Sequence, residues 1–131
     1  MLRKKLLLIS LGTVLLLALF HIFALELSWY YIFRWSDVPV HILGGFWVTI
    51  TTFWIFLKYR IADTSLDSRT SILIMLISVL IIGVLWEIFE LASGNTSLSV
   101  RNYWQDTFTD VASGFVGGVV ANIYFSRIKN Y

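Results

Sequence analysis

Four apolar runs dominate the pattern of the chain: Leu6 to Leu25, Val38 to Leu57, Ser71 to Ala92 and Thr107 to Phe125. Each approaches the ~20 residues that a membrane-spanning helix needs. The pattern therefore predicts four transmembrane helices over 6–25, 38–57, 71–92 and 107–125. Together they make one domain, residues 1–131, an all-α integral membrane protein folded as a compact four-helix bundle. The first run follows Arg3, Lys4 and Lys5 in the manner of a signal sequence. It is longer than a signal h-region and lacks a small-x-small cleavage site after it, so it reads as a retained helix. The fourth run is the least hydrophobic and the richest in small residues.

Composition sharpens this picture. The 131 residues are 58% hydrophobic, 17% aromatic and 14% charged, against roughly a quarter charged in soluble domains, and the mean hydropathy is +0.79. With no cysteine, disulfides, thiolate metal sites and a cysteine nucleophile are excluded. Nothing in the pattern points to nucleic acid. The expected partners are membrane lipids, with a second copy or another membrane protein as further candidates.

The basic residues set an orientation. Arg3, Lys4, Lys5, Lys58, Arg60, Arg69, Arg127 and Lys129 fall on one side, against Arg34 and Arg101 on the other. The positive-inside rule puts both termini in the cytoplasm of a multi-pass inner or plasma membrane protein. Asp63 and Asp67 lie inside, while Glu26, Asp37, Glu87, Glu90, Asp106 and Asp110 lie toward the outside. Trp29, Trp35, Trp86 and Trp104 fit an aromatic belt at the outer interface.

Offsets along the helices convert to depths. Lys5 to His21, His41 to Lys58, Arg69 to Glu87 and Asp110 to Arg127 are steps of 16 to 18 residues, or about 24–27 Å along a helix. Each helix thus brings one ionisable side chain to nearly one level, just inside the outer edge of a ~30 Å hydrocarbon core. Glu90 shares a face with Glu87, and Asp106 with Asp110, each about one turn further out. A carboxylate at such a depth costs a few kcal/mol unless it is paired, protonated, metal-bound or hydrated. The economical solution is a shared polar pocket that opens outward. Small residues accompany it: Gly114, Gly117 and Gly118 follow Asp110, Gly44 and Gly45 follow His41, and Gly83 lies one turn below Glu87. All six are expected to serve helix packing.

The segments Leu85 to Glu90 (LWEIFE) and Tyr103 to Gly118 (YWQDTFTDVASGFVGG) resemble the YjdF-type family of small bacterial inner-membrane proteins. Those pair a WExxE-like helix end with a DTxxD element and a glycine-rich helix. Asp37 to His41 (DVPVH), with Asp110, Gly114 and Gly118, is similar to elements of VanZ-like proteins. The resemblance implies an integral membrane protein, with an association to glycopeptide (teicoplanin) resistance on the VanZ-like side. It supplies no reaction.

Two functional readings follow. In the first, a membrane enzyme acts at the outer leaflet on a lipid or lipid-linked substrate, with His41, Glu87 and Asp110 as acid/base groups. A divalent metal would be held among Glu87, Glu90, Asp106, Asp110 and His41, since hard oxygens with a histidine suit such an ion. Arg101 and Arg34 are candidate contacts to a substrate phosphate. In the second, a non-enzymatic protein, VanZ-like or an accessory subunit, uses the same residues for packing or ligand binding. Asp37 reads as a first-turn helix residue beside Pro39, and His21 as structural. Val111 to Gly114 hints at an intramembrane serine protease whose remaining residues are missing, and Asn95 begins a glycosylation sequon by pattern alone. Four short helices without clear repeats argue against a stand-alone transporter.

Overall fold

The computed structural model describes residues 1–33, 35–61, 66–93 and 103–129. Over these the chain forms α1 (Leu2–Glu26), α2 (Trp29–Ile32), α3 (Asp37–Lys58), α4 (Ser68–Ser93) and α5 (Tyr103–Ile128). All but α2 are long and apolar enough to cross a membrane. The structure is a four-helix membrane bundle with no strand among the described residues. Each helix overruns its apolar run at both ends; α1, for example, includes Arg3, Lys4 and Lys5. Hydropathy marks only the hydrocarbon, whereas backbone hydrogen bonding continues into the interface.

The sequence pattern leaves α2 unannounced. Ser28, at φ 55°, reverses the chain after α1, and the Ser36 hydroxyl donates to the carbonyls of Trp29 and Phe33. One short turn of helix is thereby folded back against the end of α1, opposite the termini.

Helices α3 and α5 form the centre. In the most apolar stretch of α1 and of α4, 11% of residues are buried, against 33% in α3 and 39% in α5. The low hydropathy of the fourth run has its reason here: its polar and small residues face protein, while α1 and α4 offer lipid Leu8, Leu11, Leu15, Leu19, Ile77 and Ile81. Lipid tails are as apolar as leucine, so close packing and interhelical hydrogen bonds must hold the helices together. Phe53 of α3 stacks on Phe125 of α5 at 4.2 Å between ring centroids. The Ser10 and Thr51 hydroxyls join α1 to α3 at 2.7 Å. Near the termini the Lys129 ammonium donates to the Leu66 carbonyl.

Glycines set the α3–α5 approach. A Cβ on Gly45 would lie 1.9 Å from the Gly114 carbonyl oxygen, and one on Gly117 the same distance from that of Ile42. On Gly118 it would meet Met75 and Val79 of α4 at 3.0 Å, and on Gly44 and Gly114 it would make ordinary contacts. Gly83 differs from the expectation of a packing residue: a Cβ there meets nothing within 4 Å. Its missing side chain leaves open space, because α4 leans on α5 below this level and a cavity begins beside it.

Candidate polar site

Asp37 and His41 lie in the first two turns of α3, one turn apart on one face. Asp110 lies on α5, one turn before Gly114. Gly45 is one turn after His41, so the Gly45–Gly114 backbone contact draws the next turn of each helix together as well. The consequence is a cluster. His41 Nε2 lies 3.4 Å from Asp37 Oδ2 and 3.6 Å from Asp110 Oδ1. A ring nitrogen of His41 and one oxygen from each carboxylate all fall within 4.8 Å of one another. The His41 and Asp110 side chains are 13% and 6% exposed, that of Asp37 34%. His41 Nε2 is buried and makes no hydrogen bond among the described residues.

Asp37 is the residue that the sequence reading underrated. Its place in the first turn of α3 agrees with the expectation, and an acid there suits the helix dipole. Its carboxylate, however, turns to His41 instead of closing the helix end. The four-residue spacing in DVPVH was the available signal, since residues four apart on a helix are neighbours.

Glu87 faces the same region from α4 and accepts a hydrogen bond from the Thr107 hydroxyl at 2.9 Å. Thr107 is a partner that sequence reasoning missed; it sits three residues before Asp110 on the same side of α5. Neither Glu87, Glu90 nor Asp106 joins the cluster of ligand atoms around His41. Glu90 is half-buried and Asp106 exposed. His21, level with the others by the depth count, is engaged elsewhere: its Nδ1 is 2.8 Å from the Tyr30 hydroxyl of α2. Arg34 and Arg101, the candidate phosphate contacts, lie outside the described residues, as do Asp63 and Asn95.

A cavity of about 140 Å³ joins these groups. His41, Glu87 and Asp110 border it where each helix nears the α2 end; Leu17, Val48 and Val79 border it deeper in the bundle, with Trp47, Ile82 and Gly83 between. Its walls are therefore polar at one end and apolar along the rest. Leu17 belongs to α1 and Ile82 to α4, two helices that share no extended contact, so the cavity lies in the gap between them.

In α2, burial pushes the Tyr30 hydroxyl up to about 12, and the negative charges of Asp37 and Glu90 add to the effect. The fold favours the neutral phenol. Below pH ~10 the phenol is neutral in the folded and unfolded chain alike, and stability falls as pH rises from there toward 12. A spectrophotometric titration is expected to show a late-ionising tyrosine component that is absent from Tyr30→Phe.

Among curated proteins none matches the chain, and no solved structure matches it. A family model described as "Predicted membrane protein (DUF2238)" matches residues 3–131, nearly the whole chain, and the protein therefore belongs to that family of membrane proteins.

Proposed function

We propose that the protein binds an amphipathic lipid or lipid-linked molecule, its polar group at His41, Asp37 and Asp110 and its apolar part along the cavity. One observation carries this reading: a cavity in the gap between two lipid-facing helices, acidic at one end and apolar along its length. Pockets for small ligands have this mixture of mostly apolar wall and a few convergent polar groups. Ionisable groups inside membrane segments mark functional sites. The eight basic residues at the termini end and the α3–α4 connection support an orientation with that end cytoplasmic. The polar end then serves the outer leaflet. Glu87, held by Thr107 on the cavity wall, is the residue suited to take or give a proton to the bound polar group.

The finer kinship we infer is to YjdF-type and VanZ-like proteins. The elements that carry the VanZ-like likeness, Asp37 with His41 and Asp110 with Gly114, are those that meet beside the cavity.

Gly83 supplies a clean test. A Cβ added there meets no neighbour within 4 Å, and Gly83 borders the cavity. Gly83→Leu is expected to keep the helicity and thermal stability of the wild type while losing co-purified lipid about tenfold by native mass spectrometry, the equivalent of ~1.4 kcal/mol. An unchanged lipid complement in a folded Gly83→Leu protein sinks the proposal.

A further inference from the structure

The Asp37–His41–Asp110 cluster has a feature that hydrogen bonding leaves unexplained. Nε2 of His41 is buried between two carboxylates, 3.4 and 3.6 Å from them, yet makes no hydrogen bond among the described residues. Asp110, 6% exposed, accepts no hydrogen bond among the described residues. A neutral imidazole nitrogen that carries no proton is an acceptor, and ionised carboxylates are acceptors only. In the tautomer that carries its proton on Nδ1, Nε2 is an acceptor, and three acceptors then face one point. Two negative charges in a membrane helix bundle need neutralisation, and a single divalent cation would satisfy all three groups at once.

The spacing selects among cations. Around a tetrahedral zinc ion with bonds of about 2.0–2.1 Å, ligand atoms stand about 3.3–3.4 Å apart. The two histidine–carboxylate separations are 3.4 and 3.6 Å, and all three ligand atoms lie within 4.8 Å of one another. Octahedral magnesium would bring neighbouring ligands to about 2.9–3.0 Å, and calcium prefers six or more oxygens over an imidazole. One nitrogen with two oxygens is a donor set that zinc accepts. Three protein ligands leave the fourth position to a water or a substrate atom, and His41 and Asp110 both border the cavity.

We propose that Asp37, His41 and Asp110 form a zinc site, with His41 Nε2 and one oxygen of each aspartate as ligands and the fourth position open to the cavity. This names the polar end of the ligand pocket proposed above and rests on that reading. Metal content and lipid occupancy are separate measurements, so either can fail without the other. Glu87 stays outside the ligand set because Thr107 holds it, and Glu90 and Asp106 stay outside by distance.

The test uses the full chain in detergent, purified through a tag without histidine, stripped with chelator and reloaded with zinc alone. Elemental analysis is expected to find about one zinc per chain, and a loss of more than about tenfold in affinity in His41→Gln, Asp37→Asn and Asp110→Asn. Glu90→Gln and Asp106→Asn should keep the zinc. A folded wild type that takes up no zinc overturns the proposal, as do ligand variants that bind zinc as the wild type does. Should a ligand variant fail to fold, cobalt loading of the wild type decides. The intense visible bands of tetrahedral cobalt support the site, and the weak spectrum of six-coordinate cobalt overturns it.

Discussion

Gly45→Ala is expected to break the bundle and scatter the polar cluster. The added methyl would stand 1.9 Å from the Gly114 carbonyl oxygen, 2.6 Å from its carbon and 2.8 Å from the Gly114 Cα. All three atoms are backbone, so no rotamer change relieves the contact. Helices α3 and α5 would have to part along the face that carries the most extensive helix packing among the described residues. Overpacking of a well-filled interior costs about 1–3 kcal/mol or more, and here it falls on two helices that cannot deform locally. Gly117→Ala meets the Ile42 carbonyl at the same 1.9 Å and is expected to behave alike. A fall in Tm on the order of 10 °C follows for either variant, together with lost separation between His41 and Asp110 as a defined pair. Gly12→Ala is the control, since its Cβ meets nothing within 4 Å. Gly118→Ala should lie between them, because the atoms it approaches belong to the side chains of Met75 and Val79 and not to backbone. Thermal unfolding of the purified variants in one detergent checks the series. A wild-type Tm for Gly45→Ala would show that backbone contact is not what positions these helices.

Phe53→Ala is expected to destabilise the protein by about 3 kcal/mol while leaving the candidate site intact. Phe53 and Phe125 are both fully buried and stack with an interplanar angle of 22°. Removing one ring leaves a void and strips the other of its dispersion partner. Within lipid little of this comes from water; the loss is one of packing. Phe125→Ala should cost a similar amount. The double variant should cost less than the sum, because residues in contact do not act independently. Phe53 lies twelve residues below His41 on α3, about 18 Å along the helix. Lipid and zinc occupancy per folded molecule should therefore match the wild type. A Phe53→Ala protein that keeps full stability would remove the stack from the account of what holds α3 to α5.

These two variants separate the functions of the long helices. The glycine contacts act one turn from the cluster and set its geometry; the aromatic stack acts near the termini and supplies cohesion. The same helix pair does both because lipid offers α3 and α5 no hydrophobic reason to associate.

Much of the architecture was legible along the chain. Four apolar runs of spanning length stand out against a charged background, and each became a helix. The shared level of His41 and Asp110 could be counted from basic residues at the other end of each helix, and the structure brings those two side chains to 3.6 Å. His21 and Glu87 share that level by the same count, yet one meets Tyr30 and the other Thr107. Depth is a sum over residues on one helix. The direction in which a side chain points depends on how that helix is turned about its own axis, and hydropathy does not record it.

Length, apolarity and the spacing of charges thus determined by themselves that this is a four-span membrane protein with both histidines and six of its eight acidic residues toward one end and most of its basic residues toward the other. Tertiary structure decided which of those residues meet. Gly45 and Gly117, which no local pattern distinguishes from Gly83, touch backbone across α3 and α5, whereas Gly83 opens onto a cavity. That contact sets the rotation and spacing of the two central helices, and Asp37 joins His41 and Asp110 as a result. Hydropathy and helical period are properties of a single segment, but a site built from α3, α4 and α5 exists only once close backbone packing has set their mutual register.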